Sequence, residues 1–166
     1  MYVLIVNESN AKRVAFVIAI NCEIELTEYS YVCQIYYKTM KHTVHVDVDS
    51  SKIILELDDS FSPKTVNEFV EKLPFTVDLN VWGDEIYSSK SPISQPEENA
   101  KSPVELNDVA YWPTGKAICL FYGPTPIGEP GEITPASPVN VIGKVISPDK
   151  SILEIADGTK AIFRKA

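Results

Sequence analysis

Arginine and histidine are scarce in this chain of 166 residues, which has two of each and a net charge of −8. Nucleic-acid partners require clusters of lysine and arginine that meet phosphate, so this composition argues against nucleic-acid binding. Two histidines also give little support to Ser-His or Cys-His nucleophilic catalysis. No run of eighteen apolar residues occurs, and we therefore expect no membrane span.

Cysteine occurs three times, as Cys22, Cys33 and Cys119, and no two of them have the C-x-x-C spacing of a zinc or redox site. Cys119 lies in the apolar segment AICLF, where a small buried side chain is expected. We expect all three thiols to be reduced, as in a cytoplasmic protein. The glycines are scattered and form no phosphate-binding loop, and we expect no cofactor.

Proline is absent before Pro63 and glycine is absent before Gly83. Residues 1–39 are instead rich in valine, isoleucine and tyrosine, which favours strands. These strands are predicted at 1–6, 13–20 and 30–37, with a turn at 7–10. A second unit begins at Met40, so we divide the chain into a β-rich N-terminal addition of unclear role, 1–39, and a main domain, 40–166.

The main domain has the pattern of a small, mainly β protein with one helix. Val44, Val46 and Val48 alternate with polar residues as in a half-buried strand, and 53–57 returns as the second arm of a hairpin. Ser62 and Pro63 suit the start of a helix over about 62–73, which has one apolar stripe. Further strands are predicted at 85–88, 104–110, 117–122, 138–146, 151–155 and 160–164. The pattern predicts a closed β barrel or a sandwich, capped by the helix.

Three segments carry a resemblance to a known family. They are LPFTVDLNVWGDEIYSS (73–89), NDVAYWPTGKAICLFYGPTP (107–126) and PASPVNVIGKV (135–145). In their order and spacing they resemble the small cyclophilin-like proteins of archaea and bacteria, from Met40 to the end of the chain. The resemblance implies a compact, closed cyclophilin-like barrel. It implies no reaction, because members of that family are functionally unassigned.

True cyclophilins rotate the peptide bond before proline with an arginine beside a phenylalanine and a glutamine. The region that resembles the family has one arginine, Arg164, and no FHR-like motif, and the glutamines of the chain are Gln34 and Gln95. Strong isomerase activity is therefore not expected, and an enzyme is the less favoured interpretation. A weak peptidyl-prolyl isomerase that uses Lys116 stays an alternative, although lysine is a point charge rather than a planar fork.

The segment YWPTGKAICLFYGPTP, residues 111–126, is the first candidate site. It can form an aromatic-walled groove with Lys116 at its lip, or a stiff barrel corner whose aromatic residues fill the core. Because neighbours on a strand face opposite sides, we expect Phe121 or Tyr122 to point inward.

The segment 80–87 and the buried-looking Asn140 are further candidates. In the first, Asp84 or Glu85 can serve as a general base if desolvated, although two carboxylates at a turn are usually solvated. The side chain of Asn140 can pair with the backbone or with a ligand. The run from His42 to Asp49 contains two histidines and two aspartates, but it alternates with valines as a solvated strand face does, and no metal site is expected.

These observations favour a binding protein whose ligand is a small molecule or a peptide segment. The predicted ligand-binding residues are Trp82, Glu85, Tyr87, Tyr111, Trp112, Lys116, Tyr122, Thr125 and Asn140. A non-catalytic protein-interaction module is a further alternative, in which the strands of residues 1–39 pair across a homodimer or cover a barrel edge.

Overall fold

The computed structural model describes the backbone of residues 4–8, 11–15, 22–23 and 36–37, and then residues 39–49 and 51–166. The chain divides into two compact units, Met1–Thr39 and Met40–Ala166. In the first unit β1 (Leu4–Glu8) pairs with β2 (Ala11–Ala15), and β3 (Cys22–Glu23) pairs with β4 (Tyr36–Tyr37), both antiparallel. The remaining parts of the predicted strands 1–6, 13–20 and 30–37, and the predicted thiol states of Cys22 and Cys33, lie outside the described residues.

Eight antiparallel strands close into a barrel in the second unit. In chain order they are β5 (Lys41–Val48), β6 (Ser51–Asp58), β7 (Phe75–Trp82), β8 (Glu85–Ser88), β9 (Asp108–Trp112), β10 (Ala117–Phe121), β11 (Asn140–Val145) and β12 (Thr159–Lys165). Around the barrel the order is β10-β8-β7-β12-β5-β6-β11-β9, and β9 closes on β10. The predicted closed barrel is confirmed.

The helix α1 (Pro63–Lys72) covers the core of the barrel, as the apolar stripe predicts. Its residues Val66 and Phe69 are fully buried. The Phe69 ring meets the ring of Phe163 on β12 edge-on, with centroids 5.9 Å apart. Val44, Val46 and Val48 all point into the same core, because alternate residues of a barrel strand face inward.

Ser62 precedes the helix as the sequence predicts, but its side chain does not cap it. Its hydroxyl makes no capping bond to the helix and donates to the backbone oxygen of Glu98 at 3.0 Å. The carboxylate of Glu98, from the long loop between β8 and β9, takes the capping role. It accepts from the backbone nitrogens of Lys64 and Thr65 at 3.0 and 2.9 Å, and from the Thr65 hydroxyl at 2.8 Å.

Three elements differ from the sequence prediction. The sequence pattern predicts no strand at 75–82, yet β7 lies there and pairs with both β8 and β12. The predicted strand at 151–155 is a 3₁₀ helix, Lys150–Glu154, whose start is capped when the Asp149 carboxylate accepts from the Ser151 nitrogen. The predicted strand at 104–110 begins later, at Asp108, because the chain before it forms a turn in which the Asp108 carboxylate accepts from the Glu105 nitrogen.

Candidate ligand-binding pocket

The barrel has a second apolar cluster that is separate from its interior. Alternate residues of β9 and β10 point away from the main core. They form this cluster with residues of two loop segments, called here the covering segments, one containing Lys101 and Val104 and the other containing Ile133 and Val139. Its buried members are Val104, Ala110, Cys119, Phe121, Val139 and Val141. The covering segments are held to each other by backbone hydrogen bonds from Val104 to Ile133, at 2.9 Å, and between Lys101 and Val139, at 3.0 and 3.1 Å. Loops therefore cover the outer face of β8, β9 and β10.

A cavity of about 210 Å³ opens on this outer face. Its lining residues come from β7, β8, β9, β10 and the covering segment that precedes β11. They are Trp82, Glu85, Tyr87, Trp112, Cys119, Pro135, Ala136 and Val139. The strand register explains the set, because Trp82 pairs with Glu85 and Tyr87 pairs with Cys119, so these four side chains leave the sheet on one face. Both tryptophans of the chain line this cavity.

Glu85 is the only acidic residue that lines the cavity, and it is 5% exposed. Among the described residues no group donates a hydrogen bond to its buried Oε2 atom. Burial raises the pKa of the Glu85 carboxyl above its ordinary value, and a hydrogen bond from the Cys119 thiol opposes this effect. Burial likewise raises the pKa of the Cys119 thiol, and the adjacent Glu85 carboxyl raises it further. The cavity thus holds one carboxyl group that lacks a full set of partners.

Trp112 is fixed on two sides. Its indole nitrogen donates to the Ser137 hydroxyl at 2.6 Å, which ties the ring to the covering segment. Its ring also lies over Gly115, where a Cβ atom would come within 2.3 Å of the ring carbons. Glycine is therefore required in the PTGK turn for the indole to pack against this position.

Trp82 is the last residue of β7, and the loop after β10 packs against the hairpin that follows it. Gly83 has a φ of +64°, and a Cβ atom there would lie 2.8 Å from the Pro124 backbone oxygen. The Asp84 nitrogen donates to that same oxygen at 2.9 Å. The Asp84 carboxylate does not line the cavity and pairs with Lys150 at 3.2 Å. The two neighbouring carboxylates of this turn therefore have different surroundings.

Two of the predicted aromatic residues lie in the barrel interior instead. Tyr111 and Tyr122 are both buried in the main core, and the Tyr111 hydroxyl donates to the Ile93 backbone oxygen at 3.0 Å. Tyr111 precedes Trp112 on the same strand, so the two side chains face opposite sides of the sheet. Phe121 and Tyr122 are also on opposite sides, and both are buried, because the outer face is covered as well.

Lys116, Thr125 and Asn140 do not line the cavity. Lys116 is exposed in the turn between β9 and β10, and its ammonium group lies 3.3 Å from the Ser94 hydroxyl. The buried Thr125 hydroxyl donates to the Thr134 backbone oxygen, which closes the loop after β10.

The fully buried Asn140 side chain joins the long loop between β8 and β9 to the helix. Its amide nitrogen donates to the Thr65 hydroxyl at 3.1 Å and to the Pro96 backbone oxygen at 2.9 Å. Its amide oxygen accepts from the Glu98 nitrogen at 2.8 Å. The three bonds use the polar atoms of this side chain within the fold.

Cys119, Pro135, Ala136 and Val139 line the cavity although the sequence does not identify them as site residues. The position of Cys119 indicates which face of the strand it occupies, because it lies two residues from Phe121 and therefore faces the same side. The other three belong to PASPVNVIGKV, a segment that the family resemblance marks without indicating which face of the barrel it covers.

The run from His42 to Asp49 lies on β5 and the turn that follows it. Asp47 pairs there with Arg164 of β12, at 2.5 Å. Within residues 39–49 and 51–166, no group of three or more histidine, cysteine, aspartate or glutamate side chains is arranged to hold a metal ion. No helix among the described residues has the length and apolar character needed to cross a membrane.

Comparison with known proteins places this barrel in a family. The cyclophilin-like family model matches residues 42–164. The hypothetical protein AF2241 from Archaeoglobus fulgidus, known from a solution structure, is 39% identical, and the alignment covers 78% of this chain and 98% of that one with a TM-score of 0.67. No curated protein matches the chain.

A more distant likeness is to the structure of McbB in complex with tryptophan. It is 16% identical with a TM-score of 0.52, and the alignment covers 74% of this chain and 44% of McbB. At this identity the likeness shows the fold alone. The family model spans the barrel from β5 to β12, and the archaeal structure repeats it over nearly its whole length, so this chain belongs to the cyclophilin-like family.

Proposed function

We propose that this protein binds a small molecule with a single ring, or one ring-bearing side chain of a peptide, in the cavity on the outer face of the barrel. The observation that carries the proposal is the cavity itself, which is walled by both tryptophans and by a buried carboxyl. Aromatic and apolar walls with one polar group are the usual composition of a small-molecule site.

The size of the cavity limits the ligand. Its volume of about 210 Å³ exceeds the roughly 150 Å³ of an engineered apolar cavity that holds benzene. It is smaller than the roughly 300–1,000 Å³ of pockets that hold drug-sized ligands. A single ring with a short substituent therefore fits, and a longer ligand can place only one such group in the cavity.

The expected affinity for a bare ring is modest. A ring that buries about 150 Å² of apolar surface gains roughly 4 kcal/mol at about 25 cal/mol per Å². A free energy of about 4 kcal/mol corresponds to a Kd of about 1 mM, and the free-energy cost of association makes the binding of a bare ring weaker than this limit. A search for ligands must therefore extend to millimolar concentrations, and polar groups of the true ligand must supply the remaining affinity.

The two tryptophans make the test specific. Because the chain has no others, the two indole N–H signals of a ¹⁵N NMR spectrum report on this cavity. We expect single-ring compounds to shift both signals at concentrations up to about 10 mM.

A plugged variant separates binding in the cavity from binding elsewhere. Ala136 is an exposed residue at the cavity wall, so Ala136→Phe fills the opening without disturbing the buried core. Ala156→Phe makes the same change at an exposed position that does not line the cavity. The proposal requires that Ala136→Phe abolish the response and Ala156→Phe retain it. Equal responses from both variants would refute it.

The isomerase alternative gains no support from the groups around the cavity. An isomerase needs a hydrogen-bond donor for the prolyl nitrogen, and neither Arg164 nor Lys116 lines the cavity. A prolyl-peptide isomerisation assay on the protein and on Lys116→Ala separates the two functions. Catalysis above background that Lys116→Ala abolishes would favour the isomerase over the binding protein.

A further inference from the structure

The buried carboxyl of Glu85 differs from the buried polar side chains of Asp108 and Asn140. Asp108 is 1% exposed, and its carboxylate accepts from the Glu105 nitrogen and from the Lys144 ammonium group, each at 2.8 Å. Asn140, fully buried, makes three hydrogen bonds. Buried polar groups of folded proteins are nearly always satisfied in this way. Glu85 is the exception in the cavity wall, because no described residue donates to its Oε2 atom.

The Glu85 carboxyl has a weak hydrogen-bond partner. The Cys119 thiol is its hydrogen-bond partner, and a thiol is a poor donor. The last torsion of a glutamate side chain is broad, so rotation about it can turn a carboxyl oxygen toward the cavity that Glu85 lines. A hydrogen-bond donor that enters the cavity therefore meets a carboxyl group with an oxygen to which no described residue donates.

The charges around the cavity define which ligand head group suits it. No lysine or arginine lines the cavity, so an acidic ligand finds no counter-charge there. A second carboxylate beside Glu85 would be repelled in these apolar surroundings. A nitrogen that donates a hydrogen bond would satisfy the acceptor, and an ammonium group would also offset the cost of burying its charge.

We propose that the ligand of this cavity is a small apolar amine, whose ring contacts Trp82 and Trp112 and whose nitrogen donates to the carboxyl of Glu85. This inference rests on the proposed binding function and names its ligand class. It also assigns Glu85 the role of the residue that selects amines over alcohols and acids of the same shape.

Three probes with one ring and different head groups test the selection. Benzylamine, benzyl alcohol and benzoate are titrated into the protein, and the two indole N–H signals are followed. Benzylamine is expected to bind at least about tenfold more tightly than benzyl alcohol, the factor that about 1.4 kcal/mol of a charge-assisted hydrogen bond supplies. Benzoate is expected to leave the signals unchanged.

A matched pair of variants tests the residue. Glu85→Gln preserves the shape and an acceptor but removes the charge, so it should reduce the affinity for benzylamine to that for benzyl alcohol. Asp84→Asn makes the same chemical change at the neighbouring carboxylate, which pairs with Lys150 outside the cavity. It should leave both affinities unchanged. The comparison of the three probes on the unmodified protein stands by itself if Glu85→Gln fails to fold.

The pH dependence gives a second readout. The other titratable groups that line the cavity are Tyr87 and Cys119, and β7, β9 and the covering segment contribute none. Below the raised pKa of Glu85 the carboxyl carries a proton, so affinity for benzylamine should fall as the pH is lowered through that pKa. Affinity for benzyl alcohol should change less.

The outcomes separate this inference from the proposed function. If benzylamine and benzyl alcohol shift the indole signals at equal concentrations, the cavity binds rings but Glu85 does not select amines, and the inference is wrong. If no probe shifts the signals of the unmodified protein, the proposed function fails together with the inference. Selective binding of benzylamine that Glu85→Gln removes supports both.

Discussion

Replacing Glu85 with leucine should make the protein more stable while removing its ability to bind amines. The carboxyl is 5% exposed, its Oε2 atom has no donor among the described residues, and the walls around it are apolar. A buried polar group without a partner costs about 1–3 kcal/mol, and more when it is charged. Leucine has a similar size and no polar atom. We therefore expect Glu85→Leu to raise the free energy of unfolding by about 1–3 kcal/mol near neutral pH.

The increase in the free energy of unfolding caused by Glu85→Leu should become larger as the pH rises. Burial raises the folded-state pKa of Glu85 above its ordinary value of 4.5. The folded protein therefore holds this proton more tightly than the unfolded chain. The stabilisation that results is fully present below the unfolded pKa and is lost as the pH rises through the folded pKa. Since the leucine variant lacks this titration, the difference between the two proteins should widen over that pH range and then level off.

Urea unfolding followed by far-ultraviolet circular dichroism, at several pH values between about 4 and 8, measures this difference. Tryptophan fluorescence is less suitable, because both tryptophans line the same cavity as Glu85. Glu97→Leu is the matched control, since Glu97 is exposed. It should change the stability by less than about 0.5 kcal/mol. A Glu85→Leu variant that is less stable than the unmodified protein, or a difference that does not vary with pH, would show that burial of the Glu85 carboxyl does not destabilise the fold.

Three further substitutions test the contacts that hold the helix, the strand β11 and the Trp112 side chain in place. Glu98→Ala removes the carboxylate that caps the helix. It should cost about 2.5–4 kcal/mol, from a capping contribution of about 1 and a charge-assisted hydrogen bond to the Thr65 hydroxyl of about 1.5–3. A loss no greater than that of Glu97→Ala in urea unfolding would contradict this. Gly143→Ala would place a Cβ atom 2.1 Å from a backbone oxygen of β6 and should cost about 1–3 kcal/mol, with an unchanged melting temperature as the contrary result. Ser137→Ala removes the acceptor of the Trp112 indole nitrogen and should cost about 0.5–1.5 kcal/mol and move the NMR signal of that N–H, whereas an unmoved signal would show that the bond is absent in solution.

The barrel itself is largely predictable because its strands bury one face. Val44, Val46 and Val48 alternate with polar residues, and period two is the pattern of a strand with one buried side. The helix over about 62–73 is predictable from its apolar stripe, and the structure places it at Pro63–Lys72. The residue that caps this helix is not predictable from the local sequence. Glu98 lies more than thirty residues later in the chain, and its carboxylate reaches the helix only in the folded state.

The outer cavity is only partly predictable, since loops cover a barrel face that would otherwise be exposed. One hairpin contributes Trp82, Glu85 and Tyr87, and local sequence places these side chains on one face. Whether Tyr111 or Trp112 joins them depends on the register of β9, which is a property of the whole sheet. Val139 reaches the cavity through a long loop, and no local periodicity indicates where such a loop packs.

A structure of the protein determined with benzylamine would show whether amines bind in the outer-face cavity beside Glu85. We expect the ring in contact with Trp82 and Trp112, and the nitrogen about 2.7–3.2 Å from a carboxyl oxygen of Glu85. A ligand found at another surface of the barrel, or an empty cavity in protein saturated with benzylamine, would contradict the claim that this outer-face cavity is the binding site.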